Sequence, residues 1–453
     1  MHYEIAEGKL FTKKALFLML LMAAGGLALM SRFALGIGAT TNLSNNYPWG
    51  LWIVFDLVWI ALAGGAFVTA GIVYVFMAER FHALGRPAVW MGFISYNCVV
   101  VTLLADLGLP WHFYSLVLYI PKHSAMYEVS WCVGLYVTVL GLEFVPAALD
   151  LFEKHWPPKS GPWTRFIMLG FVSDMVGRVP WGWLRDMWRK LSPIYTVAAL
   201  GLFTYLMSHA WWFALLAVIV FSVIVYATRD SYERFGVPVI LIVAAVTFST
   251  MHQSSLGSLF LLMPDKLSHL WWSPIMSILF FLSAVASGMA LVMFMDVLIS
   301  YFFNRPYHWK MLGQMGQVLF GALIVYYGAR IVDVALRGQL SSISGGNGVR
   351  FIIEMAAGGL IPIVLLSAAS LRNNKNLLVT AMLLTLGGVI FNRLNVVLLG
   401  MSLPGTMPGG PVPTYHPSLV EWTLAVSLVS GAVFVFAVGL KLLPIMPKAE
   451  EHP

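Results

Sequence analysis

VILIVAAVTFSTMHQSSLGSLFLLM, residues 239–263, holds enough apolar residues to cross a bilayer, yet it sets His252, Gln253, Ser254 and Ser255 side by side in its second half. A helix rises about 1.5 Å per residue, and a hydrocarbon core roughly 30 Å thick needs about 20 apolar residues. The stretch therefore reads as a membrane span. Its polar run lies where an unpaired polar group is costly and is therefore informative.

The rest of the chain reads the same way. It is 59% apolar and 10% charged, with a mean hydropathy of +0.82, whereas a water-soluble domain carries about 25% charged residues. Twelve apolar segments of helical length lie near 15–37, 50–78, 88–109, 125–150, 194–209, 211–229, 236–262, 271–301, 309–336, 349–371, 376–400 and 418–443. The fifth and sixth are short and form a hairpin turning near His209 and Ala210. No alternating ten-residue pattern recurs, which disfavours a β-barrel. The first apolar run is long and lacks a small-residue cleavage site, so it reads as a retained helix. The fold class expected is all-α, a polytopic transmembrane helix bundle of about twelve spans. Its parts are spans 1–4 over 1–151, an inserted segment over 152–235, and spans 7–12 over 236–453.

The net charge of +7 is a topology signal. With the N-terminus inside, the inner segments hold 20 of the 27 Lys and Arg residues, and positive charge marks the cytoplasmic side. Both termini are thus expected in the cytoplasm, with the protein in the bacterial inner membrane. The basic residues are scattered over loops, which argues against a nucleic-acid partner. Cys98 and Cys132 both fall within spans, as buried thiols, and no metal-ligand cluster is evident.

The ionisable residues inside spans gather toward the outer face. Asp56 opens span 2, Asp106 closes span 3, Glu128 opens span 4, and His252 lies two-thirds along span 7. Arg330, Asp333, Glu354, Arg393 and Glu421 follow the same trend, while Glu143 and Asp296 sit near inner ends. For Asp333, Glu354 and Glu421 an interfacial capping role explains the position as well as a functional one. Asp56, Glu128 and His252 are flanked by apolar turns and point to a shared cavity near the outer face. Such a cavity suits a redox-active lipid such as a quinone, whose carbonyl oxygens need a titratable hydrogen-bond donor and a proton relay. An ion transporter uses similar residues, so a twelve-helix secondary transporter stays open. The chain offers no Cys-x-x-Cys-His and no Gly-rich nucleotide loop, and only His252 lies well inside a span, so that a bis-His haem would have to pair it with His112 or His123 of the loop between spans 3 and 4, a weak arrangement. It is expected to hold neither haem nor an iron–sulfur cluster, so electrons come from a partner subunit.

Several segments together resemble one family. NNYPWGLWIVFD (45–56), YEVSWCVGLYVTVLGLEF (127–144) and TMHQSSLGSL (250–259), with His269, Leu270 and Trp271 following, are similar to motifs of the HybB-type membrane subunit of periplasmic nickel–iron hydrogenases. That subunit belongs to the NrfD/PsrC superfamily of haem-free, quinone-interacting membrane anchors. The resemblance implies a core of two four-helix bundles, the first made of spans 2, 3, 4 and 7. It also implies a menaquinone or ubiquinone site near the outer face. The implied partners are a periplasmic ferredoxin-like iron–sulfur subunit and a catalytic subunit, which is a hydrogenase, a cytochrome c or a molybdenum enzyme. Arg393 and Glu421 fall where later family motifs are expected, although Leu419 stands where the family usually has Trp. The segment 152–235 departs from smaller members. It carries a basic, Trp-rich stretch, RVPWGWLRDMWRKL (178–191), which reads as an interfacial helix.

On this reading His252 hydrogen-bonds the quinone with help from Gln253; the alternative is a His that packs helices. Ser254 and Ser255 serve helix approach. Trp49 and Trp52 line the entrance or belong to an aromatic belt, Tyr114 is a further contact, and Asp106 and Glu128 carry protons at the site. Glu143 follows Glu128 by fifteen residues, roughly 22 Å along a helix. A path from Glu143 to Glu128, with Asp56 and Asp296 as further carriers, links the site to the cytoplasm.

Overall fold

The computed structural model describes residues 3–6, 11–45, 47–74, 78–115, 178–208, 210–227, 239–401 and 415–447, with scattered positions between 124 and 149. Among the described residues, eleven long helices stand on the segments picked out by hydropathy. They are α1 (Lys13–Leu35), α2 (Leu51–Tyr74), α3 (His82–Asp106), α4 (Trp181–Ser208), α5 (Trp211–Ala227) and α6 (Val239–Leu261), then α7 (Met276–Phe302), α8 (Trp309–Leu336), α9 (Gly345–Ser367), α10 (Lys375–Leu399) and α11 (Leu419–Leu442). Eight of them are long and apolar enough to cross a membrane. The positions described between 127 and 149 are also helical.

Local chemistry sets the ends. The Thr12 side chain accepts from Ala15 N at 3.2 Å to start α1, and Gly36, at φ +84°, stops it in a region that non-glycine residues avoid. Asn374 caps α10 by accepting from the amides of Asn376 and Leu377. Ser418 and Glu421 form a reciprocal capping box at the start of α11. In the inserted segment the basic stretch and the fifth span are one helix, α4, with Pro193 inside it. A proline costs a helix the bond to the residue four back, here Arg189 at the charged end of the helix.

Two bundles share the long helices. Ala63 and Phe67 of α2, Tyr96 of α3, Tyr136 and Val139 of the 127–149 segment, and Phe248 of α6 close the first core. Met289 of α7, Leu319 of α8, Leu366 at the end of α9 and Leu378 of α10 belong to the second. The seam runs between α2 and α7, where a Cβ on either Gly65 or Gly288 would collide with the other's backbone. Small residues let helices approach this closely in lipid. α1 and α11 pack side by side, with Gly25 against Ser427.

Both ends of the chain meet at one end of the bundle. Tyr3–Glu4 pairs antiparallel with Met446–Pro447, Ala6 N donates to Leu440 O at 2.7 Å, Glu4 is ion-paired with Arg305, and Arg86 donates to Pro444 O at 2.7 Å. The sequence carries no strong signal for this two-residue pairing.

Gly288→Val is expected to destabilise the protein by about 1–3 kcal/mol or more, the cost of overpacking a close contact. Gly321→Val, on an exposed face with open space at its Cα, is expected to change stability by less than about 0.5 kcal/mol. Thermal unfolding of the purified protein in detergent measures both.

Candidate functional site

His252 lies nine residues before the end of α6, roughly 14 Å below it. The side chain is fully buried at 0% exposure, and Gln253 beside it is 1% exposed. Gln253 Nε2 donates to Ile60 O of α2 at 2.5 Å, which fixes the rotation of α6 against α2. The Tyr96 ring of α3 stands 6.1 Å from the imidazole and 3.9 Å from the Tyr136 ring. Neither nitrogen of His252 has a hydrogen-bond partner among the described residues, and neither does Gln253 Oε1, while the Tyr96 hydroxyl and Ser249 Oγ lie close enough to act on each other. Burying a polar group without a partner costs about 1–3 kcal/mol. Three such atoms, two on His252 and one on Gln253, sit on neighbouring residues of α6 inside the first bundle.

Toward the end of the bundle most of the polar groups are paired. Thr102 Oγ1 of α3 lies 3.1 Å from Asp56 Oδ1 of α2, and Asp56 is 3% exposed. Asp106, four residues further on α3, keeps Oδ1 without a partner among the described residues. Arg32, 1% exposed on α1, donates through Nε to Ala105 O at 2.6 Å and through Nη2 to Leu107 O, and so holds the last turn that carries Asp106. Glu421 is a structural hub. It takes hydrogen bonds from the Tyr415 hydroxyl, from Ser418 N at 2.8 Å and from Asn42 N at 3.3 Å, and its carbonyl accepts from Trp52 Nε1 at 3.2 Å. Burial, and then the bond it gives to Glu421, hold the Tyr415 hydroxyl above the ordinary phenol range. Trp49, half-buried, meets Phe260 edge-on at 5.5 Å.

The structure thus brings His252 and Gln253 together in the first bundle, with Asp56 and Asp106 nearer its end. Glu128 and Glu143 lie outside the described residues. Tyr114 is exposed on the Pro110–Tyr114 turn, with its ring 5.7 Å from His112, and does not join the buried cluster. Asp296, 4% exposed near the opposite end of α7, faces His308 Nδ1 at 3.1 Å. Tyr96 and Ser249 escape a reading of the sequence because a tyrosine or serine in a span is unremarkable until its hydroxyl is seen buried beside the histidine's helix.

Arg393 belongs to a second cluster, in the second bundle. Glu354, 1% exposed, receives Trp271 Nε1, Asn392 Nδ2 and Asn395 Nδ2, each at 2.8 Å, and pairs with Arg330 Nη1 at 2.6 Å. Arg393 donates to Asn392 Oδ1 and to Ser283 Oγ of α7, each at 2.7 Å, with its guanidinium 3.8 Å over the Phe280 ring. Glu354 and Asn395 each open a π-helical stretch, Glu354–Leu360 and Asn395–Leu399, an irregularity that tends to mark functional positions. Glu354 and Asp333 are not the wet interfacial caps that an end-of-span position allows. Asp333, 7% exposed, is bonded by Ser273 Oγ at 2.8 Å and paired with Arg337 at 2.7 Å. The signal available in the sequence is Asn392 and Asn395 flanking Arg393 on one helix.

The family described as "Polysulphide reductase, NrfD" matches residues 39–404. The chain is 27% identical over 455 residues to the "Probable Ni/Fe-hydrogenase 2 b-type cytochrome subunit" of Escherichia coli, covering 98% of this chain and 95% of that protein. It is 24% identical over 437 residues to the "Menaquinone reductase, integral membrane subunit" of Nitratidesulfovibrio vulgaris, covering 92% and 87%. It is also 24% identical over 467 residues to a selenate reductase subunit of Mesobacillus selenatarsenatis, covering 97% and 96%.

Replacing Glu354 by Leu strands Arg330 and two amide groups in the bundle interior. The expected cost is about 3–5 kcal/mol, the penalty for half a buried ion pair, and a thermal melt of the purified protein measures it. The double change with Arg330→Met is expected to recover part of the loss.

Proposed function

Since this chain is a member of the NrfD family and an integral membrane protein, we propose that it is the quinone-reactive membrane subunit of a respiratory redox complex. The observation that carries this reading is the fully buried His252, both of whose nitrogens have no partner among the described residues, with the free Oε1 of Gln253 beside it. A bound quinone supplies two-electron, two-proton redox chemistry at its carbonyl oxygens. The residues present suit such a group. A neutral imidazole donates from one nitrogen and accepts at the other, so His252 holds one oxygen and exchanges its proton. Gln253, whose amide nitrogen is engaged by Ile60 O, keeps Oε1 to accept from a hydroxyl. Tyr96 and Ser249 add hydroxyls that give or take a proton. The buried aromatic wall of Tyr96, Tyr136 and Phe67 excludes water, so protons move through side chains.

Electrons enter from a partner. The relatives named above are subunits of a hydrogenase, a menaquinone reductase and a selenate reductase. We assign this chain an iron–sulfur subunit of ferredoxin type on the outer, periplasmic side, and behind it an enzyme subunit that oxidises or reduces the substrate. The Lys/Arg bias puts both termini in the cytoplasm, and their pairing at one end of the bundle fits that placement. We take the chain to hold no haem of its own. A bis-His haem needs two axial ligands at one depth, and His252 is the one histidine buried inside a span among the described residues. Menaquinone is favoured over ubiquinone by the relative that bears its name.

Proton supply completes the reading. Asp56 and Asp106 serve the outer side of the site. Glu128 and Glu143, fifteen residues apart on one segment, link it to the other face, where Asp296 and His308 lie at the far end of α7.

Two measurements test this. Titrating the purified complex with a menaquinone analogue, read by fluorescence quenching, is expected to show binding that His252→Ala weakens at least about tenfold, roughly 1.4 kcal/mol for one lost buried hydrogen bond. Equal binding by both forms removes His252 from the site, and no binding by either ends the quinone reading. In the complex reconstituted in liposomes, Glu143→Gln is expected to lower the ratio of protons moved to electrons transferred. An unchanged ratio and turnover rule the path out.

A further inference from the structure

α1 presents much of its surface outward, with Leu27, Met30 and Leu35 exposed. Its buried residues, Gly25, Ala28 and Arg32, are spaced three and four apart and so share one face. Gly25 lies against Ser427 of α11. The third member of that face is an arginine, 1% exposed. A charge inside a span costs a few kcal/mol and is kept where it has partners. Arg32 precedes residues 39–404, which match the NrfD family, and the quinone reading so far gives it no part.

Its partners are two backbone carbonyls. Arg32 Nε donates to Ala105 O at 2.6 Å and Nη2 to Leu107 O, the residues on either side of Asp106. The last carbonyls of a helix have no partner within it, and any donor could fill that place. Arginine adds a charge that it does not lose. It does so beside a small apolar core of Trp52, Ala105 and Leu424, where water is excluded and charges act strongly. Both bonds go to the backbone, so the guanidinium acts on the Asp106 carboxyl through space and does not clamp it. Asp106 Oδ1 is buried without a partner among the described residues, while the residue as a whole is partly exposed. One oxygen is enclosed, and the residue still reaches the surface.

A row of groups leads from Asp106 toward the histidine. Thr102, one turn back on α3, lies 3.1 Å from Asp56 Oδ1. Asp56 stands one turn before Ile60 of α2, whose carbonyl holds Gln253, the chain neighbour of His252. Each turn is roughly 6 Å of helix. The charged groups acting on Asp106 among the described residues are Arg32 from α1, Asp56 from α2 and Glu421 from α11. The like charges of three acids repel one another, and Arg32 is the cation that offsets them. We infer that Arg32 is a positioning residue of the outer proton path: it fixes Asp106 and balances its charge without binding it, so that this carboxyl exchanges protons between Asp56 and the outer water. The path belongs to the quinone reading, on which this inference rests, whereas the hold of Arg32 on Asp106 is measurable without a quinone.

Turnover of a menaquinone analogue by the intact complex in lipid nanodiscs, followed against pH, tests this. Arg32→Gln keeps a donor and removes the charge. It is expected to move the pH of half-maximal turnover upward by about 1–3 units, because a carboxyl that loses a cationic neighbour ionises at higher pH. Arg32→Lys, which restores the charge, is expected to bring it back. In an Asp106→Asn background Arg32→Gln is expected to move nothing. A profile that Arg32→Gln leaves in place, with only a lower melting temperature, makes Arg32 a structural tie and overturns the inference, as does a shift that persists in the Asp106→Asn background. Where Arg32→Gln does not fold, Asp106→Asn decides by itself, since Arg32 bonds only the neighbouring carbonyls. A loss of turnover of about tenfold or more is expected, on the low side for a missing proton-transfer group, and unchanged turnover overturns the inference. Infrared titration of the complex without quinone reads the carboxyl directly, as the band that Asp106→Asn removes, and Arg32→Gln is expected to move that band in the same direction. If the band moves while the complex turns over no quinone, the quinone reading and the proton path fail, and the hold of Arg32 on Asp106 stands.

Discussion

Two glycines make the architecture possible. Gly65 and Gly288 allow α2 and α7 to meet at backbone distance, and in lipid, where no hydrophobic force draws helices together, such close packing is what holds a seam. α2 carries Asp56 and the Ile60 carbonyl that orients Gln253. α7 carries Ser283, which receives Arg393, and Ala284, whose carbonyl stands where a Cβ on Gly65 would have to go. Each bundle thus takes its position from one helix of a pair that cannot slide.

The two polar clusters on either side of that seam have opposite character. In the second bundle one carboxylate takes four donors, and the charges of Glu354 and Arg330 neutralise each other inside the protein. Both nitrogens of His252, and Oε1 of Gln253 beside it, have no partner among the described residues. A membrane interior penalises unmet polar groups, so the second cluster is a structure in its own right, while the first leaves its polar atoms unmet.

Much of this is legible in the amino-acid sequence. Hydropathy locates the helices because a span must satisfy its own backbone and cover its flanks with apolar side chains, and that constraint is written residue by residue. His252 and Gln253 announce themselves by interrupting an apolar run. Tyr96 and Ser249 leave no such mark, because their meaning lies in the spacing of neighbouring helices. Glu354 is visible as an acid near a span end, but its four donors come from Trp271, Arg330 and a pair of asparagines spread over more than a hundred residues. The helix through Pro193 departs from expectation for a related reason: local propensity predicts a break, and the long amphipathic surroundings override it.

The clasp of Tyr3–Glu4 on Met446–Pro447 ties the segment before α1 to the segment after α11. Two strands that share hydrogen bonds lie on one face of a bilayer, so the chain between them must cross it an even number of times.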